Sequence, residues 1–148
     1  MRSAPRLVLD TNACLDLLLF GDPRAAALHA ALRAGSVIAM TDEACRAEWL
    51  RVLAYPQLEL TALQRQDLIR RHDELAEPFV HESPAIGSAA NQTSLPRCAD
   101  PDDQKFLVLA QACGARWLIS RDKLLLKLAR RTRRDGLFDI VPPEAWVP

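Results

Sequence analysis

Short apolar runs alternating with helix-length amphipathic segments constrain this chain more than any other feature. Arg6 to Leu9, Val37 to Met40, Phe79 to His81, Trp117 to Ile119 and Phe138 to Val141 each read as a short strand. Thr11 to Phe20 reads as a helix with Leu15, Leu18 and Leu19 on one face. Asp22-Pro23 starts a second helix, closed by Gly35, and Thr41 is placed to cap a third that runs to about Leu53. Thr61-Ala62-Leu63-Gln64 is a capping box opening a helix to about Glu77. Asp100-Pro101 starts another, closed by Gly114, and Asp122 opens a short one to about Ala129. The polar segment Ser83 to Arg97 reads as loop. Strands alternating with helices in this way predict a three-layer α/β/α domain with a central, mostly parallel sheet. At 148 residues the chain has room for one such domain, residues 1–148.

Composition narrows the setting. The formal net charge is zero, so any surface for a polyanion must be local. Cys14, Cys45, Cys98 and Cys113 show no C-x-x-C spacing and no histidine pair to complete a zinc pattern, which predicts buried free thiols and a reducing cytoplasm. Leu7-Val8-Leu9 is too short for a leader, and no run approaches the roughly 20 apolar residues of a membrane span.

The informative residues are carboxylates in places that should be apolar. Asp10 directly follows Leu7-Val8-Leu9, at the carboxyl end of a strand, where open parallel sheets bind ligands; it could equally be a helix cap. Glu48 sits at the edge of the apolar face formed by Cys45, Trp49, Val52 and Leu53 and needs a partner, either a cation or an arginine such as Arg51. Asp103 lies one turn before the stripe Phe106, Leu107, Ala110, in a first turn where the helix dipole also favours an acid; Asp100 can cap that helix, and Asp102 lies off the stripe. Asp122 follows the strand Trp117 to Ile119 and also suits a plain cap. If the strands are parallel, Asp10, Asp103 and Asp122 converge. Several carboxylates stay ionised together only with a cation among them, and all-oxygen ligation selects a hard one, Mg²⁺ or Mn²⁺. Phosphodiester hydrolysis is the chemistry that such a site serves.

In order and spacing, V-L-D-T-N at 8–12, Glu48, P-D-D-Q-K-F-L-V-L-A at 101–110, L-I-S-R-D at 118–122 and the closing D-I-V-P-P-E-A-W resemble the PIN domain family. They resemble in particular its VapC-like branch, the toxin components of toxin–antitoxin pairs. The resemblance implies a Mg²⁺- or Mn²⁺-dependent endoribonuclease. In it Asp10, Glu48, Asp103 and Asp122 bind metal and carry catalysis, with Asn12, Asp100 and Ser120 supporting them. It also implies a homodimer and a small antitoxin partner. Arg121, Lys123, Lys127, Arg130 and Arg131 crowd the segment beside the last acid and suit RNA phosphates, a solvated helix end, or an acidic antitoxin tail. An RNA-processing nuclease without an antitoxin and a non-catalytic binding module of the same fold remain open. A phosphatase-like reading expects a second Asp two residues after Asp10, where Asn12 stands.

Overall fold

The computed structural model describes residues 3–82 and 95–148. Five parallel strands, β1 (Arg6–Leu9), β2 (Ile38–Thr41), β3 (Ala76–Pro78), β4 (Trp117–Ile119) and β5 (Asp139–Val141), form one sheet in the order β3-β2-β1-β4-β5. Seven α-helices are placed among the described residues: α1 (Thr11–Leu18), α2 (Ala26–Ala34), α3 (Glu43–Leu53), α4 (Ala62–Leu75), α5 (Gln104–Ala112), α6 (Lys123–Leu126) and α7 (Ala129–Arg134). Because side chains alternate across a strand, β1 and β4 supply both faces. Leu7, Leu9, Trp117 and Ile119 pack in one core with α1, α2, α4 and with Trp49 and Leu53 of α3. Val8, Met40, Leu118 and Ile140 pack in the other with Phe106, Leu107, Leu109 and Ala110 of α5 and Leu125 of α6. A strand buried on both faces reads as a continuous apolar run, as Leu7-Val8-Leu9 does. The expected three-layer α/β/α architecture is therefore present.

The strand order places the site. From β1 the chain winds outward to β2 and β3, then returns to β4 on the other side of β1. The carboxyl ends of β1 and β4 thus flank the point where the winding reverses, the usual crevice of such sheets.

Three elements differ from the sequence expectation. The third strand occupies Ala76–Pro78, not 79–81, and follows α4 without a loop. It pairs Ala76 with Ala39 and Pro78 with Thr41, at the sheet edge, where a proline is tolerated and no apolar alternation marks the strand. Asp42, not Thr41, caps α3, accepting from the Cys45 amide at 2.8 Å, while Thr41 ends β2. The single short helix expected after Asp122 is two, α6 and α7. Of the segment read as loop, residues 83–94 lie outside the described residues, and Leu95 to Arg97 have no regular structure.

The capping box opening α4 forms as expected: the Gln64 amide donates to Thr61 Oγ1 at 3.1 Å and the Thr61 amide to Gln64 Oε1 at 2.8 Å. Thr61→Ala is expected to destabilise the protein by about 1 kcal/mol. A chemical-denaturation midpoint lowered at unchanged slope checks this. All four cysteines are buried free thiols.

Candidate active site

Asp10 stands where β1 becomes α1. Its amide donates to the Ile119 carbonyl of β4 at 3.1 Å, tying it to the neighbouring strand end. Its carboxylate caps α1, accepting from the Ala13 amide at 2.8 Å. The side chain is almost wholly enclosed, with the residue 4% exposed. Burial pushes the carboxyl up from its ordinary 3.8 to about 7; hydrogen bonds from the Ser120 side chain and the Ala13 amide oppose the rise, and the charges of Asp103 and Asp122 add to it. Ser120 is fully buried, and its Oγ also accepts from the Asp122 amide at 2.9 Å. Asp122 caps α6, accepting from the Leu124 and Leu125 amides at 2.8 and 3.3 Å. Asp10 and Asp122 are thus both helix caps, each accepting the helix amides on Oδ1.

The second half of the site comes from α3 and the start of α5. Asp100 caps the 3-10 turn Pro101–Asp103 through the Asp102 amide at 3.0 Å. Burial pushes Asp103 up to about 6, with Asp122, Asp100 and Glu48 adding to the rise and Lys105 opposing it. Glu48 is not paired with Arg51. Its Oε1 lies 2.6 Å from Lys105 Nζ, and its Oε2 accepts a hydrogen bond from the Thr11 hydroxyl.

Asp10, Glu48, Asp103 and Asp122 all line one cleft of about 260 Å³, together with Asn12, Asp100 and Asp102; Thr11, Val52 and Phe106 complete its wall. Ser120 lies behind Asp10 and does not line it. Among the described residues, no group of three or more His, Cys, Asp or Glu side chains is gathered tightly enough to hold a metal ion as it stands. Among the described residues, the Lys105 ammonium beside Glu48 is the one side-chain cation within ion-pair distance of these carboxylates. The donor set itself suits a hard divalent cation. It is all oxygen, it is anionic in excess, and two of its carboxyls, Asp10 and Asp103, are driven toward protonation by burial and by neighbouring acids of the cleft.

The basic segment divides. Arg121 Nη1 lies 2.5 Å from Asp16 and 3.3 Å from Asp22, and its Nη2 lies 2.8 Å from Glu144. It therefore ties the loop that carries Asp122 to α1 and to the C-terminal turn, and its guanidinium is already committed to acids. Arg131 is 4.0 Å from Asp135, while Lys123, Lys127 and Arg130 have no ion-pair partner among the described residues. None of the five lines the cleft. Two residues that the sequence reading passed over belong to the site: Thr11, signalled only by its place after Asp10, and Lys105, which stands inside the 101–110 motif with no signal of its own.

A parallel sheet of this winding thus places an acidic crevice at its reversal. The family model described as PIN domain matches residues 6–124, and the chain belongs to that family. Its members are in general nucleases and in general use divalent metals. No curated protein shows a significant match to the chain.

Proposed function

We propose that this chain is a single-domain, Mg²⁺- or Mn²⁺-dependent endoribonuclease, acting as the toxin of a type II toxin–antitoxin pair. The observation that carries the catalytic part is the delivery of Asp10, Glu48, Asp103 and Asp122 by four separate elements to one cleft at the reversal of the sheet. These four would hold the cation, with Asp100 beside them. A bound divalent cation supplies water activation and charge neutralisation for in-line attack at phosphorus. The chain's own part is orientation. The Ala13 amide and Ser120 fix Asp10, the Ser120 hydroxyl and the α6 amides fix the Asp122 loop, and Thr11 fixes Glu48. Asn12, exposed at the cleft, would orient the ligands beside Asp10. The toxin assignment, with its cytoplasmic setting, homodimer and antitoxin, rests on the order and spacing of the motifs. No helix among the described residues is long and apolar enough to cross a membrane.

Lys123, Lys127, Arg130 and Arg131 are the first candidates for RNA phosphates, with Arg121, already paired with Asp16 and Glu144, behind them. Lys127→Glu combined with Arg130→Glu is expected to weaken RNA binding and to flatten its salt dependence, by roughly 0.7 in the log–log slope for each phosphate no longer neutralised. Fluorescence anisotropy over a salt series reads this, and an unchanged slope would remove those residues from the interface.

The catalytic reading is tested by incubating the protein with structured and unstructured RNA in Mn²⁺, Mg²⁺ or EDTA. Cleavage in either metal, leaving 5′-phosphate and 3′-hydroxyl ends, and none in EDTA is expected. Undiminished cleavage in EDTA would overturn it.

A further inference from the structure

Lys105 breaks a local rule. It is the second residue of α5, where the helix dipole repels a cation, and its side chain is only 19% exposed. A partly buried ammonium there needs compensation, and it comes from another element: Nζ lies 2.6 Å from Glu48 Oε1 on α3, and 5.6 Å from the centre of the Phe106 ring. The other Glu48 oxygen is held by Thr11. Both Glu48 oxygens are therefore occupied by groups of the chain itself. Among the described residues, no other acid of the cleft has a side-chain cation within ion-pair distance.

We propose that Lys105 serves two partners in turn. In the resting protein it is the counter-ion of the cleft, holding Glu48; when a divalent cation enters, it yields Glu48 and its ammonium takes a non-bridging phosphate oxygen of the RNA. The proposal rests on the reading of the cleft as a cation-dependent ribonuclease site. A divalent cation attracts the crowded carboxylates more strongly than an ammonium does. An ammonium on a flexible four-carbon stem, with three rotatable donors, suits such an exchange, and it binds phosphate as a point charge. The exchange keeps Glu48 paired before loading and puts a positive charge beside the substrate only after loading.

The test titrates Mn²⁺ without RNA, reading free Mn²⁺ by electron paramagnetic resonance, into wild type, Lys105→Met, Glu48→Gln and the double variant. Lys105→Met is expected to bind Mn²⁺ about tenfold tighter, a coupling at the low end for close charge pairs, and the gain should vanish in the Glu48→Gln background. Lys105→Gln repeats the reading should Lys105→Met fail to fold. In a second arm, binding of a short single-stranded RNA is measured over a salt series, with Ca²⁺ replacing Mn²⁺ to separate binding from cleavage. The log–log slope should fall by about 0.7 in Lys105→Met and stay in Lys105→Arg. Equal or weaker Mn²⁺ affinity in Lys105→Met, or a gain that persists without the Glu48 charge, overturns the competition. An unchanged slope overturns the phosphate contact. Wild type that binds Mn²⁺ with no gain in Lys105→Met sinks this inference alone, whereas no Mn²⁺ binding in any variant sinks the ribonuclease reading with it.

Discussion

Asp10→Asn is expected to lower metal-dependent RNA cleavage by roughly 10³-fold, the scale on which removal of one preorganised charge-stabilising group acts. The same change is expected to make the metal-free protein more stable. Asparagine keeps the cap on α1, because its side-chain oxygen still accepts from the Ala13 amide. What it removes is a buried charge. The Asp10 carboxyl is raised from 3.8 to about 7, so between those pH values the folded protein holds a proton that the unfolded chain releases. The associated stability is fully present below about pH 4 and is lost as pH rises through 7. At pH 8 the loss is on the order of 4 kcal/mol, taking about 1.36 kcal/mol for each pH unit between the two values. In EDTA, wild type should therefore melt at progressively lower temperature from pH 5 to pH 8, and Asp10→Asn should flatten that slope. A mutant that cleaves RNA at the wild-type rate would remove Asp10 from the chemistry; one that melts lower at pH 8 would make it a structural acid.

The second large effect is the response to metal itself. Mn²⁺ at about 100 times its dissociation constant should stabilise the fold by about 2.7 kcal/mol, a rise of roughly 5–10 °C in melting temperature for a domain of this size. The rise should be largest at pH 8 and shrink toward pH 5, because Asp10 and Asp103, the latter raised to about 6, must release their protons to bind a cation. Differential scanning fluorimetry across pH, with and without Mn²⁺, reads both. A shift independent of pH would place the cation away from these two acids.

How much of this can be read from the sequence depends on the range of the interactions. The strand Arg6–Leu9 and the acid after it are local signals, an apolar run and its abrupt end, and both are where the sequence puts them. The cap-or-ligand ambiguity of Asp10 and Asp122 has no local resolution, because a cap can also line a cleft, as each of these does. The partner of Glu48 is out of reach for a different reason. Arg51 is the near cation in sequence, but it lies on the exposed side of α3, whereas Lys105 arrives from α5 through the packing of the two helices. Arg121 shows the same limit. As part of a basic run it reads as an RNA contact, and only the fold brings Asp16, Asp22 and Glu144 to it. The third strand escapes the sequence reading because an edge strand carries too little burial to imprint a period on Ala76–Pro78.

Whether the four carboxylates at the reversal of the sheet form a divalent-cation site is tested most directly by anomalous diffraction from crystals of the protein grown or soaked with Mn²⁺ at pH 8. A manganese peak is expected in the cleft, in contact with the Asp10 carboxylate and with at least one of Glu48, Asp103 and Asp122. Manganese bound elsewhere with that cleft empty, at a concentration that supports RNA cleavage, would contradict it.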